Sequence, residues 1–198
     1  MGNTSSCTLS ADELQNLSST SHFSGEEVKS LWIHFKGIAG QDNEHISREQ
    51  FQAVLMFKDT AMLDRIFRVF DEDEDQRISF PEYLKCVSVI SSKASEAEKL
   101  KLSFQMYDFD GDDKISVSDL TSALAATLRE HDVIIERTEI DEIVRDTMDE
   151  VCPEEAGKIS LQEYEVLVAQ RPQMLSRLSL NVSGIINDAR APTPAAAA

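Results

Sequence analysis

One two-residue step recurs four times along the chain: Ile46-Ser47, Ile78-Ser79, Ile115-Ser116 and Ile159-Ser160. Each follows a polar or acidic stretch and precedes a helical apolar pattern, so the four steps mark a tandem unit. A repeat this short cannot bury an apolar face by itself and must stack on a neighbour. A β-branched residue at the step suits a short antiparallel pairing with the next copy. That pairing couples unit one with two and unit three with four. The predicted fold is all-α in two lobes, each a pair of helix–loop–helix units with a short antiparallel β pairing between the loops.

The apolar stripes fit this plan. Val28, Leu31, Trp32 and Phe35 recur at i, i+3, i+4 and i+7, the spacing of one helix face. Ser47 with Gln50, and Ser79 with Glu82, form capping boxes that start helices. Leu63, Ile66, Phe67 and Phe70 lead into a second loop, and Tyr83, Leu84, Val87 and Ile90 leave it. Leu100, Phe104 and Tyr107 enter the third, and Leu120, Leu124 and Leu128 leave it. Ile140, Ile143, Val144 and Met148 precede the fourth, and Tyr164 and Leu167 follow it. The predicted organisation is a flexible arm over 1–22, with a short helix near Ala11 to Leu17, then one lobe over 23–92 and a second over 93–170. Residues 171–198 read as an apolar segment followed by a disordered Ala/Pro tail.

Two of the loops space oxygen ligands as a wrap for one hard cation requires. In 71–82, Asp71, Asp73, Asp75 and Glu82 fall at positions 1, 3, 5 and 12, with the Arg77 carbonyl at 7 and Ser79 acting through water. In 108–119, Asp108, Asp110, Asp112 and Asp119 take those positions, with the Lys114 carbonyl at 7 and Ser116 at 9. Position 6 of such a loop turns sharply with positive φ, and Gln76 and Asp113 stand there in place of glycine. A non-glycine residue in that region costs roughly 1–2 kcal/mol, less for aspartate. Asp119 is one methylene shorter than the usual glutamate, so a six-coordinate arrangement and Mg²⁺ are favoured there relative to Ca²⁺. The loop over 39–50 puts no carboxylate on a ligand position, carrying Ala39, Gln41, Asn43 and Gln50 at 1, 3, 5 and 12. The loop over 152–163 has Cys152, Glu154 and Ala156 at 1, 3 and 5, keeping only Gly157 and Glu163. Both are expected to be metal-free.

Charge narrows the partners. The chain carries 36 acidic and 19 basic residues, a net charge of −17, which disfavours nucleic acid and bare anionic membrane. Its three cysteines, Cys7, Cys86 and Cys152, are odd in number and widely spaced, as in a reducing, cytoplasmic compartment. His22, His34, His45 and His131 are scattered, and there is neither a P-loop nor a Gly-x-Ser-x-Gly turn, so the chain is not expected to be an enzyme. Met1-Gly2-Asn3-Thr4-Ser5-Ser6 fits N-myristoylation at Gly2. One such chain gives only marginal, reversible membrane contact. Cys7 is either a second acylation site or a plain thiol. Met174, Leu175, Leu178, Val182, Ile185 and Ile186 form a late apolar series. It either folds back over a partner groove or packs permanently on the second lobe.

Over roughly 24–170 the chain resembles EF-hand proteins of the calcineurin B family and its relatives, the calcineurin-B-homologous, calcineurin-B-like and calcium- and integrin-binding proteins. The residues carrying the resemblance are the Gly2 pattern, the Phe35-Lys36 step, the run Leu100-Lys101-Leu102-Ser103-Phe104 and Tyr107-Asp108-Phe109-Asp110-Gly111-Asp112. The resemblance implies a calcium-binding regulatory subunit that clasps an amphipathic helix of a calcineurin-like Ser/Thr phosphatase catalytic subunit. The other readings are a calcium sensor acting on a kinase, ion exchanger or membrane receptor, and a calcium buffer or membrane-associated structural protein. Calcineurin B itself has four binding loops, where two are expected here.

Overall fold

The structure, a computed structural model, describes residues 9–40, 43–55 and 60–170. The expected myristoylation site at Gly2 and the apolar series over 174–186 lie outside the described residues. Contacts divide the described chain into two compact units. The first comprises 9–40, 43–54 and 70–94, and the second 55, 60–69 and 95–170.

In the first unit, α1 (Ala11–Ser19) is the short helix expected within the arm. Ser10 and Glu13 form a reciprocal capping box at its start, and Leu17 is buried as the helix packs on α2 (Gly25–Ala39). Beyond it, the His22 backbone N–H donates to Ser88 Oγ at 2.9 Å, and Phe23 is buried. The chain continues through β1 (His45–Ile46) into α3 (Arg48–Leu55). After α4 (Thr60–Phe70), which up to residue 69 belongs to the second unit, it returns through β2 (Ile78–Ser79) and α5 (Phe80–Ile90). The stripe read from the sequence is the core: Val28, Leu31 and Phe35 are fully buried. Phe35 and Trp32 both make T-shaped pairs with Phe80, with ring centroids 5.3 and 4.8 Å apart. Ring pairs of this kind add stabilisation beyond area burial.

The second unit continues with α6 (Glu96–Tyr107), β3 (Ile115–Ser116), α7 (Val117–Glu130), α8 (Arg137–Val151), β4 (Lys158–Ile159) and α9 (Leu161–Gln170). Ser95 with Glu98 and Ser116 with Asp119 cap α6 and α7 as reciprocal boxes. Phe104, Ile115, Met148, Ile159, Tyr164, Leu167 and Val168 form the core. Ser103 Oγ and the Tyr164 hydroxyl share a buried hydrogen bond inside it. A buried hydroxyl without such a partner would be costly.

The four Ile-Ser steps pair as expected. β1 runs antiparallel to β2 with Ile46 opposite Ile78, and β3 to β4 with Ile115 opposite Ile159. Each ribbon ties two loops back to back, so neither loop position is independent of its neighbour. Among the described residues, the fold is all-helical apart from these two short ribbons. Among the described residues, no helix is long and apolar enough to cross a membrane.

Candidate metal centres

Both loops singled out by spacing gather carboxylates. One oxygen each from Asp71, Asp73 and Glu82 lie within 4.8 Å of one another, and so do oxygens of Asp108, Asp110 and Asp112. Three like charges at that separation repel by roughly 1 kcal/mol per pair even in water. The loop backbone offsets this by turning its N–H groups inward. Asp71 accepts from the N–H of Asp75 at 3.1 Å and of Gln76 at 2.9 Å. Asp108 accepts from those of Gly111, Asp112 and Asp113 at 2.8, 3.2 and 3.1 Å. Burial raises the pKa of Asp71 and of Asp108, the loop N–H groups working against it.

The donor set is oxygen only, anionic and convergent, which suits a hard cation such as Ca²⁺ rather than a soft one. Asp75 and Asp119 fall outside the two groupings. Asp75 accepts from the Arg77 N–H at 2.8 Å, as Asp112 accepts from that of Lys114 at 3.0 Å. Arg77 and Lys114 lie one residue before β2 and β3, Arg77 exposed and Lys114 half-buried.

The last position of each loop bridges back to its start. Glu82 takes the Glu72 N–H at 2.9 Å while its other oxygen caps Ser79. Burial opposes the ionised Glu82, but these hydrogen bonds outweigh it and its pKa falls below the usual value. Asp119, despite its shorter side chain, takes the Phe109 N–H at 3.2 Å and caps Ser116. Glu163 takes the Glu154 N–H at 2.6 Å in the fourth loop. In the first loop Gln50 reverses the polarity and donates to the Ala39 carbonyl at 2.9 Å, joined there by Asn43 Nδ2 at 2.6 Å. The Lys36 ammonium donates to the Asn43 carbonyl at 2.6 Å. Amide and ammonium protons thus meet the carbonyls that a cation would otherwise serve.

Position 6 turns as expected, Gln76 having φ 65° and Asp113 φ 63°. The sequence reading missed position 4. Glu74 also lies in the left-handed region, at φ 59°, where the third loop has Gly111 at 79°. The second loop therefore carries two non-glycine residues at φ values that cost roughly 1–2 kcal/mol each.

Two cations beside the third loop were also missed. Arg65, buried on α4, donates from Nε to the Gln105 carbonyl at 2.6 Å, and Nη2 serves the same oxygen. Its charge draws the pKa of Asp108 down against the larger effect of burial. Lys158 Nζ donates to Asp112 Oδ2 at 2.7 Å. Nothing in local spacing announces Arg65, whereas Lys158 occupies position 7 of the fourth loop, beside the predicted pairing.

A cavity of about 300 Å³ opens within the second unit, lined by Tyr107, Leu120, Leu124, Ile143, Val144 and Leu167 among others. Its walls come from α6, α7, α8 and α9, so the core below it and the loops beside it share the same helices.

Comparison with known proteins agrees with this geometry. The family described as an EF-hand domain pair matches residues 97–168. The calcineurin B subunit of Naegleria gruberi is 27% identical over 161 residues, 81% of this chain and 89% of that protein. The type 1 calcineurin B subunit of Dictyostelium discoideum is 27% identical over 183 residues, 92% of this chain and 99% of that protein. The calcineurin B subunit of Schizosaccharomyces pombe is 30% identical over 155 residues, 78% of this chain and 87% of that protein. On that likeness across nearly whole chains, together with paired helix–loop–helix units and converging carboxylates, the chain belongs to the calcineurin B family of EF-hand proteins.

Proposed function

We propose that this chain is a calcium-binding, non-catalytic regulatory subunit that clasps an amphipathic helix of a calcineurin-like Ser/Thr phosphatase catalytic subunit. The observation that carries the reading is the apolar cavity of the second unit, whose walls are the helices flanking the third and fourth loops. An amphipathic helix laid into an apolar groove buries one face at i, i+3, i+4 and i+7. The names of the relatives add that they are subunits of calcineurin.

In this reading Asp71, Asp73, Asp75, Glu82 and the Arg77 carbonyl hold Ca²⁺ in the second loop. Asp108, Asp110, Asp112, Asp119 and the Lys114 carbonyl hold Ca²⁺ or Mg²⁺ in the third. The bound ion supplies the charge that lets the carboxylates close on one point, and so braces the helices on either side. The loops pair within lobes spanning 23–92 and 93–170. Myristoylated Gly2 gives the otherwise cytoplasmic protein a reversible membrane contact.

The test is affinity capture from native extract, in calcium and then in chelator, with the bound chains identified. Stoichiometric recovery of a Ser/Thr phosphatase catalytic chain is the expected result, and its loss with Leu124→Asp ties it to the cavity. Recovery of a kinase, exchanger or receptor tail instead, or of no stoichiometric partner, overturns the phosphatase assignment.

A further inference from the structure

The β3–β4 register sets Ser116 opposite Lys158 and Ile115 opposite Ile159. Lys114 and Lys158 hold the same place, position 7, in the third and fourth loops. Each reaches across the ribbon into the other loop. Lys114 Nζ donates to Glu155 Oε2 at 3.2 Å, and Lys158 Nζ to Asp112 Oδ2 at 2.7 Å. The two straps are alike in geometry but unlike in consequence. Glu155 is at a position that supplies no ligand, whereas Asp112 is one of the three carboxylates that converge. Its Oδ1 already accepts from the Lys114 backbone, so with Lys158 on Oδ2 both oxygens are engaged.

Among the described residues, the second loop has no counterpart. His45 stands at the matching position, opposite Ser79. Among the described residues, the hydrogen bonds to Asp71, Asp73, Asp75 and Glu82 come from backbone N–H groups and the Ser79 hydroxyl. Of the two candidate centres, the third loop is therefore the one with a lysine ammonium hydrogen-bonded to a converging carboxylate.

We propose that Lys158 is a resident counter-cation of the third loop. It occupies Asp112 in the metal-free protein, opposes the incoming divalent ion, and leaves Asp112 when that ion binds. The fourth loop, which carries Cys152 and Ala156 rather than carboxylates at positions 1 and 5, thereby sets the affinity of its neighbour. The inference rests on the reading that the third loop takes a divalent cation. Both members of the pair are about one-third exposed, 38% for Lys158 and 36% for Asp112, so solvent screens the effect without cancelling it.

The experiment is calorimetric titration of the full-length protein with Ca²⁺, for the wild type, Lys158→Met, Lys158→Arg and Asp108→Ala. Asp108→Ala identifies which transition belongs to the third loop. Lys158→Met is expected to tighten that transition roughly 2–10-fold and leave the other unchanged, with a gain that shrinks as salt rises. Lys158→Arg is expected to keep the wild-type affinity. A third-loop transition that is present in the wild type but unchanged or weaker in Lys158→Met overturns the proposal and leaves the metal reading standing. A titration that Asp108→Ala does not alter defeats the metal reading itself, and the proposal with it. A second readout follows the ammonium directly. After ¹³C reductive methylation of the lysines, the Lys158 resonance, assigned by its absence in Lys158→Met, is expected to shift on adding Ca²⁺. In chelator it is expected to differ in Asp112→Asn. A resonance that responds to neither overturns the release.

Discussion

Ile115 and Ile159 face each other across the β3–β4 ribbon, each about 1% exposed. The contact joins two loops 44 residues apart in sequence and sits within the core built from Phe104, Met148, Tyr164 and Leu167. Truncating either side chain leaves a void that four converging helices cannot easily close. Ile159→Ala is expected to destabilise the second unit by about 2–5 kcal/mol, read from denaturant unfolding in chelator. Ile159→Val, which removes one methylene, is expected to cost about 0.5–1.5 kcal/mol.

The second loop holds Glu74 and Gln76 at positive φ. Gln76→Gly relieves one of these strains, offset in part by the greater freedom of glycine in the unfolded chain. The expected gain is up to about 1 kcal/mol in the metal-free protein, with tighter calcium binding at this loop. A loss of stability would show that Gln76 contributes more through its contacts than it costs in backbone strain.

Position 12 separates the two centres. Glu82→Gln removes one of three converging charges while keeping the side-chain length, and is expected to abolish one of two binding transitions in calorimetry. Asp119→Glu restores the longer carboxylate and is expected to raise the preference for Ca²⁺ over Mg²⁺. Two transitions persisting in Glu82→Gln, or an unaltered ion preference in Asp119→Glu, would remove that residue from the ligand set.

Arg65 is buried and gives two N–H groups to the Gln105 carbonyl. Arg65→Met keeps much of the apolar stem and deletes the donors. The Gln105 carbonyl is left without them, and Asp108 loses a nearby positive charge that draws its pKa down. A loss of about 1–3 kcal/mol is expected in thermal or denaturant unfolding. The Asp108 carboxyl, already raised chiefly by burial, is expected to rise further, as side-chain NMR titration in chelator would register.

Burial pushes the Cys86 thiol up to about 12, whereas Cys152 is exposed. In a Cys7→Ser background at pH 8, a thiol reagent is expected to modify Cys152 quickly and Cys86 only on unfolding. An unfolded thiol titrates at about 8.5. The folded protein favours the neutral Cys86 thiol, so stability is unaffected below that value and declines as pH rises from there towards the folded value. Cys86→Ala is expected to flatten that alkaline decline.

Much of the architecture was legible in local pattern. The Ile-Ser steps, the capping serines and the stripe through Val28, Leu31 and Phe35 depend on spacing along the chain, because helices and tight loops are short-range structures. The candidate ligands were legible for the same reason, since Asp71 to Glu82 and Asp108 to Asp119 lie within twelve-residue loops. What spacing could not supply was anything carried across the chain. Arg65 meets Gln105 from forty residues away, and its helix groups with the second unit, although it leads directly into the second loop. Lys158 reaches Asp112 only because a particular register sets two loops back to back. Sequence by itself determined which segments become helices, loops and carboxylate clusters, since these follow from periodicity and local hydrogen bonding. Tertiary structure alone decided which cations stand beside those clusters, because the energy of a charge depends on its distance through space and not along the chain.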